Sequence, residues 1–297
     1  MTEKRDAIVQ VSIPFCVKDD ALRRDGMILG WDSARMARYA DALVAEIEAN
    51  AGQFDDCRVR AVQLGGGVAS NAGADVARIV RAVRQACDVA EDAPVTMRSS
   101  IANVSGATMP FFRRAGVTRF DFEMLSLNPV DFVRLNRVDN LNDLPIICDH
   151  FLHSYANDTL GLVLAFGHRA RDGEDGALTV RRTALAAARS HATHVELVRV
   201  APELEAEPEE VARQLDGMRD ALVERGFAEY LPLRFAREAK EDRFARLAAE
   251  GAPQVGFGLG AVTRLDGVES VNTRDLVRYR AAKGDFAKIT EDVRKAG

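Results

Sequence analysis

The chain reads as an α/β protein of six consecutive βα units, residues 1–202, followed by a smaller extension packed on them, residues 203–297. Two observations predict this. Short apolar runs alternate with amphipathic stretches at helical spacing almost from the start, which favours parallel βα units. Beyond residue 202 that alternation breaks into an acidic loop, one amphipathic helix and a glycine-rich stretch.

Ala7 to Ile13 is a buried first strand that ends at Pro14. Asp32-Ser33 can cap a helix running through Met36, Tyr39, Leu43 and Ile47. Val59 to Leu64 is the second strand, closed by Gly65-Gly66-Gly67, and a helix with Val76, Ile79, Val80 and Val83 on one face follows. Pro94 to Ser99 is the third strand. Pro110 to Gly116 ends the third helix, with Gly116 as its C-cap.

Val117 to Glu123 alternates strictly, so Phe120 and Phe122 point one way and Arg119, Asp121 and Glu123 the other. A short helix from Pro129 to Asn136 and another from Asp143 to Tyr155 come next, then a fifth strand, Leu160 to Phe166. Thr179 to Ser190 is helical and His194 to Val200 is the sixth strand. Glu203 to Glu210 is a solvated acidic loop. Pro208 to Arg225 is an amphipathic helix, and Pro253 to Ala261 is glycine-rich, with a turn at Asp266-Gly267.

Composition bounds the function. Hydrophobic residues make up 47% of the 297, enough for a sizeable core. The net charge of -5, with arginines scattered among acids, argues against nucleic acid as a partner. No apolar run approaches the length that spans a bilayer, and no apolar leader precedes the first strand, so a cytoplasmic protein without a membrane partner is expected. Cys16, Cys57, Cys87 and Cys148 are far apart and form no C-x-x-C pair, so no metal site is expected from them. His191 and His194 have H-x2-H spacing but straddle a helix end and a strand start.

Ile13-Pro14-Phe15-Cys16 resembles the opening of the radical S-adenosylmethionine (SAM) enzymes of the oxygen-independent coproporphyrinogen III oxidase-like family. Other landmarks follow in the family's order. Gly65-Gly66-Gly67-Val68-Ala69-Ser70 resembles its G-G-G-T-P-S loop, Gly116-Val117-Thr118-Arg119 its G-V-x-R, and Leu135-Asn136-Arg137 its L-G-R. His194-Val195-Glu196-Leu197 stands where the family has H-I-S-L. Gly226-Phe227-Ala228-Glu229-Tyr230, Gly258-Leu259-Gly260-Ala261 and Asn272 resemble its C-terminal landmarks. The resemblance implies a partial (β/α)6 TIM-like barrel of radical SAM type, without the C-terminal helical domain that many relatives carry.

The departures fall where the resemblance would place cofactor chemistry. The family's C-x3-C-x2-C motif supplies three thiolates to a [4Fe–4S] cluster. Cys16 is followed at the other two ligand positions by Asp20 and Arg23, and a guanidinium cannot ligate iron. No [4Fe–4S] cluster is therefore expected. The family's glutamate at the end of strand three is Arg98, its glutamine after strand four is Leu125, and its aspartate on strand five is Val163. SAM binding stays open: Gly65, Gly66, Gly67 and Cys16 would be its surviving contacts, whereas Arg98 and Val163 stand against it. The triple glycine can equally serve only as a tight βα turn.

In the family register Gln10, Ser12, Gln63, Arg98, Arg119, Asp121, Glu123, His194 and Glu196 face the barrel interior. Carboxylates there are costly unless paired or hydrated. They either form an ion-pair network that plugs the vacated pocket or line a site for a small polar molecule at the C-terminal mouth. In the second case Arg98, Asp121, Glu123 and Glu196 are the catalytic candidates, with Cys16 and His168 near the mouth. A carboxylate beside Arg98 would stay ionised and one facing only carboxylates would be raised, giving a base and an acid. The alternative is a non-catalytic pseudoenzyme that partners an intact radical SAM paralogue, forms a homo-oligomer or binds a tetrapyrrole.

Overall fold

The computed structural model describes residues 4–16, 28–101, 104–129, 131, 135, 143–154 and 158–295. Asp20, Arg23, Asn136, Arg137, Tyr155 and most of the Pro129–Asn136 helix lie outside the described residues. No helix among the described residues is long and apolar enough to cross a membrane.

The six expected parallel strands are present: β1 (Arg5–Ile13), then, after the two-residue strands β2 (Phe15–Cys16) and β3 (Leu29–Gly30), β4 (Cys57–Gly66), β5 (Val95–Ser99), β6 (Arg119–Leu125), β7 (Thr159–Phe166) and β8 (His194–Arg199). They pair in chain order β1-β4-β5-β6-β7-β8, each parallel to the next. The fold is a partial α/β barrel of TIM-like type.

The outward faces explain why the helices pack. Val9, Val11, Val62, Leu64, Met97, Phe120, Phe122, Leu162 and Val195 join one apolar cluster with Met36, Tyr39, Leu43 and Ile47 of helix Ser33–Ala49 and with Val76, Ile79, Val80 and Val83 of helix Asp75–Ala86. Each fully buried side chain of this kind contributes about 1.5–3 kcal/mol. Asp32 caps the first of these helices by accepting from Arg35 N. Gly116, at φ +98°, turns the chain out of helix Met109–Arg114. Helix Gly176–Arg189 begins three residues before the expected Thr179, because Asp175 caps it.

The extension does more than pack on the barrel, since it lengthens the sheet at both edges. β9 (Ala228–Leu231) and β10 (Arg234–Ala236) form a hairpin that pairs antiparallel with β8. At the other edge β11 (Gln254–Phe257) lies parallel to β1 as a seventh parallel strand. The sequence reading saw only a glycine-rich stretch there. Gly256 permits the strand, because a Cβ would come within 2.4 Å of Val262 O. β12 (Val262–Leu265) and β13 (Val268–Asn272) follow as a hairpin whose turn, Asp266-Gly267, has positive φ at both residues. β14 (Thr290–Lys295) pairs with β13.

A buried carboxylate fastens this extension. Glu46, fully buried on helix Ser33–Ala49, accepts from Gly258 N at 2.8 Å, from Asn272 Nδ2 at 2.8 Å and from the Tyr279 hydroxyl. Beside it, the Tyr39 hydroxyl donates to Ser12 O at 2.6 Å and accepts from Leu259 N at 3.1 Å. Burial raises the Glu46 pKa to about 7, and its three donors pull the other way.

Candidate functional site in the barrel interior

Strand alternation turns one residue in two toward the barrel axis, and the register stacks these in layers. Gln10, Gln63, Thr96 and Arg119 are neighbours in one layer; Ser12, Gly65, Arg98, Asp121, Gly161 and His194 surround the next region. Glu123, Val163, Glu196 and Arg234 form the third. The structure thus brings Arg98 on β5, Asp121 and Glu123 on β6 and Glu196 on β8 onto one inner face.

Their charges are matched individually. Glu196 lies between two guanidiniums, with Oε2 2.9 Å from Arg98 Nη1 and Oε1 2.9 Å from Arg234 Nη2. Asp121 lies 3.2 Å from Arg119 Nε, both fully buried. Neither Glu196 nor Asp121 faces only carboxylates. Burial opposes the charge on Arg98, but Glu196, Glu123, Asp121 and Asp242 outweigh it and hold the guanidinium more firmly protonated than usual.

Gly161 makes room for this arrangement. A Cβ there would sit 2.0 Å from Asp121 Oδ1 and 3.4 Å from His194 Nδ1, so both side chains reach the same point above the glycine. His194 Nε2 is 2.9 Å from the Tyr230 hydroxyl, which itself accepts from Asp242 N at 3.1 Å. The phenol thus joins the imidazole to the backbone of the extension. Burial, reinforced by Arg119, keeps this histidine neutral, well below its usual pKa. Burial also raises the Tyr230 phenol to about 12. His191 takes no part: it lies exposed at φ +62°, outside the strand that carries His194.

Tyr230, Arg234 and Asp242 were missed as site residues. All three belong to the extension, and their only trace in the sequence was the G-F-A-E-Y landmark that ends at Tyr230. Arg234 turns inward at a register shift of the hairpin, next to Leu233 at φ +63°.

At the C-terminal ends of β6 to β8 the interior becomes apolar. Leu125, Leu135, Ala165 and Val200 form a separate buried cluster, packed by Val198 and Leu204. Leu125 adopts φ +60°, a left-handed conformation that costs a branched residue about 1–3 kcal/mol. The following Ser126 donates to Asp131 Oδ2 at 2.7 Å, and His168 Nε2 lies 3.6 Å from Asp131 Oδ1. The carboxylate sits between hydroxyl and imidazole, so the histidine does not activate the serine and this is not a hydrolytic triad.

The triple glycine has two different environments. At Gly67 a Cβ would lie 2.5 Å from both Ile13 O and Phe15 N, and at Gly66 2.8 Å from Ser12 Oγ. Backbone of the β1–β2 segment fills the space at both. Gly65 has ordinary room, facing Arg98 Cδ at 3.7 Å. Cys16 is half-buried on β2.

The thiols present do not fit a cluster held by three cysteines. Cys57 opens β4 at the strand end opposite Gly66, Cys87 follows helix Asp75–Ala86, and Cys148 is buried on helix Asp143–Ser154. None is near Cys16 in the chain, where Asp20 and Arg23 stand at the other two positions of the motif.

No protein-family model matches the chain. Over 132 residues it is 30% identical to the anaerobilin synthase of Escherichia coli O157:H7, a match that covers 42% of this chain and 28% of that one. The match thus spans less than a third of the length of that curated relative. In three dimensions the chain resembles the coproporphyrinogen III oxidase of Escherichia coli, described as a radical SAM enzyme. The TM-score is 0.83 at 16% identity, over 99% of this chain and 72% of the other.

Proposed function

Taking as premise a chain of the radical SAM superfamily with that superfamily's barrel fold, we propose a repurposed barrel that holds no [4Fe–4S] cluster and binds a small polar molecule in its interior. Arg98, Asp121, Glu123 and Glu196 form the polar wall. The observation that carries this reading is the donor set: one half-buried thiol, Cys16, at a motif whose other positions are Asp20 and Arg23.

The interior supports it from the other side. Arginines and carboxylates occupy the barrel axis, and buried ion pairs of this kind add little net stability over apolar packing, so stability alone does not account for them. Arg98 supplies a cation for an acidic group of the bound molecule, and the carboxylates supply proton acceptors. His194, neutral, offers one N–H donor and one acceptor nitrogen, with Nε2 2.9 Å from the Tyr230 hydroxyl. Any transformation here is acid–base chemistry without radicals.

Anaerobic reconstitution with iron and sulfide, followed by iron quantification and titration with SAM, tests the reading. No bound iron is expected. About four irons per chain together with SAM cleavage would overturn it.

A further inference from the structure

Between the β9–β10 hairpin and helix Arg243–Ala249 a cavity of about 290 Å³ reaches into the barrel. Its polar wall is Gln63, Arg98, Arg234 and Asp242, and Phe244, Ala245 and Leu231 give it an apolar side. Its rim carries Pro232 and Ala248, both exposed. The opening therefore lies on the extension, away from the buried cluster of Leu125 and Val200 at the C-terminal ends of β6 to β8.

Two polar atoms on this wall make no hydrogen bond among the described residues. Asp242 is 1% exposed, and its Oδ2 has no hydrogen-bond partner among the described residues. Arg234 Nη1 is likewise without one. They lie 3.7 Å apart, near enough to attract but too far to bond. A buried acceptor and donor side by side at this spacing are suited to a molecule that lies across both and bonds each. Arg98, whose Nη1 lies 2.9 Å from Glu196 Oε2, lines the same wall.

The charge balance narrows the chemistry. The wall carries two guanidiniums, of Arg98 and Arg234, and one carboxylate, of Asp242, and Glu196 lies between the two arginines. With Glu196 counted the charges balance and both signs are presented, so a plain anion or a plain cation would answer only half of the wall. A molecule carrying both signs on neighbouring atoms satisfies Arg234 and Asp242 together. The volume is at the small end for ligand pockets, and the side formed by Phe244 and Ala245 suits a short hydrocarbon chain.

We propose that this cavity binds a single free α-amino acid with an apolar side chain, its carboxylate on Arg234 and Arg98 and its ammonium on Asp242. The inference rests on the reading that the barrel interior receives a small molecule, and it assigns the class of that molecule.

The test is calorimetric titration of the purified chain with L-alanine, L-valine and L-leucine. 4-Methylpentanoate and 3-methylbutylamine serve as matches for leucine lacking one charge each. One amino acid at least should bind one to one, at least about ten-fold tighter than either single-charge analogue. Asp242→Asn should weaken it at least about ten-fold, while still capping helix Arg243–Ala249 through its side-chain oxygen, which now accepts from Ala245 N at 3.3 Å. Ala248→Trp, at the exposed rim, should block binding without touching an ion pair, and covers the case in which the Asp242 variant does not fold. Absence of binding by all three amino acids, equal binding of the carboxylate analogue, or undiminished binding to Ala248→Trp would each overturn the inference. A reconstituted iron–sulfur cluster would instead overturn the reading beneath it; a cluster-free chain that ignores amino acids sinks the present inference alone.

Discussion

Replacing Glu46 by glutamine should flatten a pH dependence of folding that the buried carboxyl creates. In the folded chain this carboxyl is raised from 4.5 to about 7 by burial. Between those values the folded state binds more protons than the unfolded state, so stability falls as pH rises through the window and is level above it. The span corresponds to roughly 3 kcal/mol. Glutamine carries no charge to desolvate, but Gly258 N, Asn272 Nδ2 and the Tyr279 hydroxyl all donate to Glu46. In either orientation the new amide points its NH2 at a donor, at a cost of about 1–3 kcal/mol that does not vary with pH. The slope and the offset are thus separable. Urea unfolding followed by circular dichroism from pH 4 to pH 8 should show wild type losing roughly 3 kcal/mol relative to Glu46→Gln. Asp158, raised to about 6 by burial, and His194, lowered, also titrate on unfolding, but both are present in the two proteins and cancel in the difference. A difference between the two curves that stays constant with pH would refute the reasoning.

Other perturbations separate packing from electrostatics. Glu196→Gln leaves Arg98 and Arg234 without their shared carboxylate, and since all three keep some exposure the loss should be about 2–3 kcal/mol in urea unfolding. Gly67→Ala drives a Cβ into Ile13 O and Phe15 N and should cost about 3 kcal/mol or more, whereas Gly65→Ala should stay within about 1 kcal/mol; thermal melts of the two compare them directly. Tyr230→Phe removes the group that serves both His194 Nε2 and Asp242 N, and should destabilise by about 2 kcal/mol in the same melts.

Much of the barrel was legible because its signals are local. Alternation in Val117–Glu123 put Phe120 and Phe122 against the helices and Arg119 and Asp121 on the axis, and both faces are buried as that pattern requires. The Asp32 cap and the Asp266-Gly267 turn were readable for the same reason. The extension was less legible. Gln254–Phe257 is too short and too rich in glycine to announce a strand, and its parallel place beside β1 depends on a partner some 244 residues away. Arg234 points inward only because the hairpin slips its register there, and no local pattern encodes that. The pairing that divides the interior charges, Glu196 with Arg234 and Asp242 with Arg234, was hidden with it.

Gly65-Gly66-Gly67 keeps the glycines of the motif it resembles, whereas Asp20, Arg23 and Arg98 stand where that family has two cysteines and a glutamate. For two of the three glycines the geometry gives a physical reason. In the fold, Gly66 and Gly67 have no room for a Cβ because the first strand and its continuation pass against them, and this holds whether or not anything is bound. Arg98 is under no such constraint: its guanidinium reaches Glu196 and, through the hairpin, the charges of the extension. Backbone crossings restrict a position to glycine for as long as the fold lasts, whereas side chains facing the axis answer only to what occupies it. Gly66 and Gly67 are therefore held by the backbone of the barrel, whereas Arg98 and its partner carboxylates are not under that constraint.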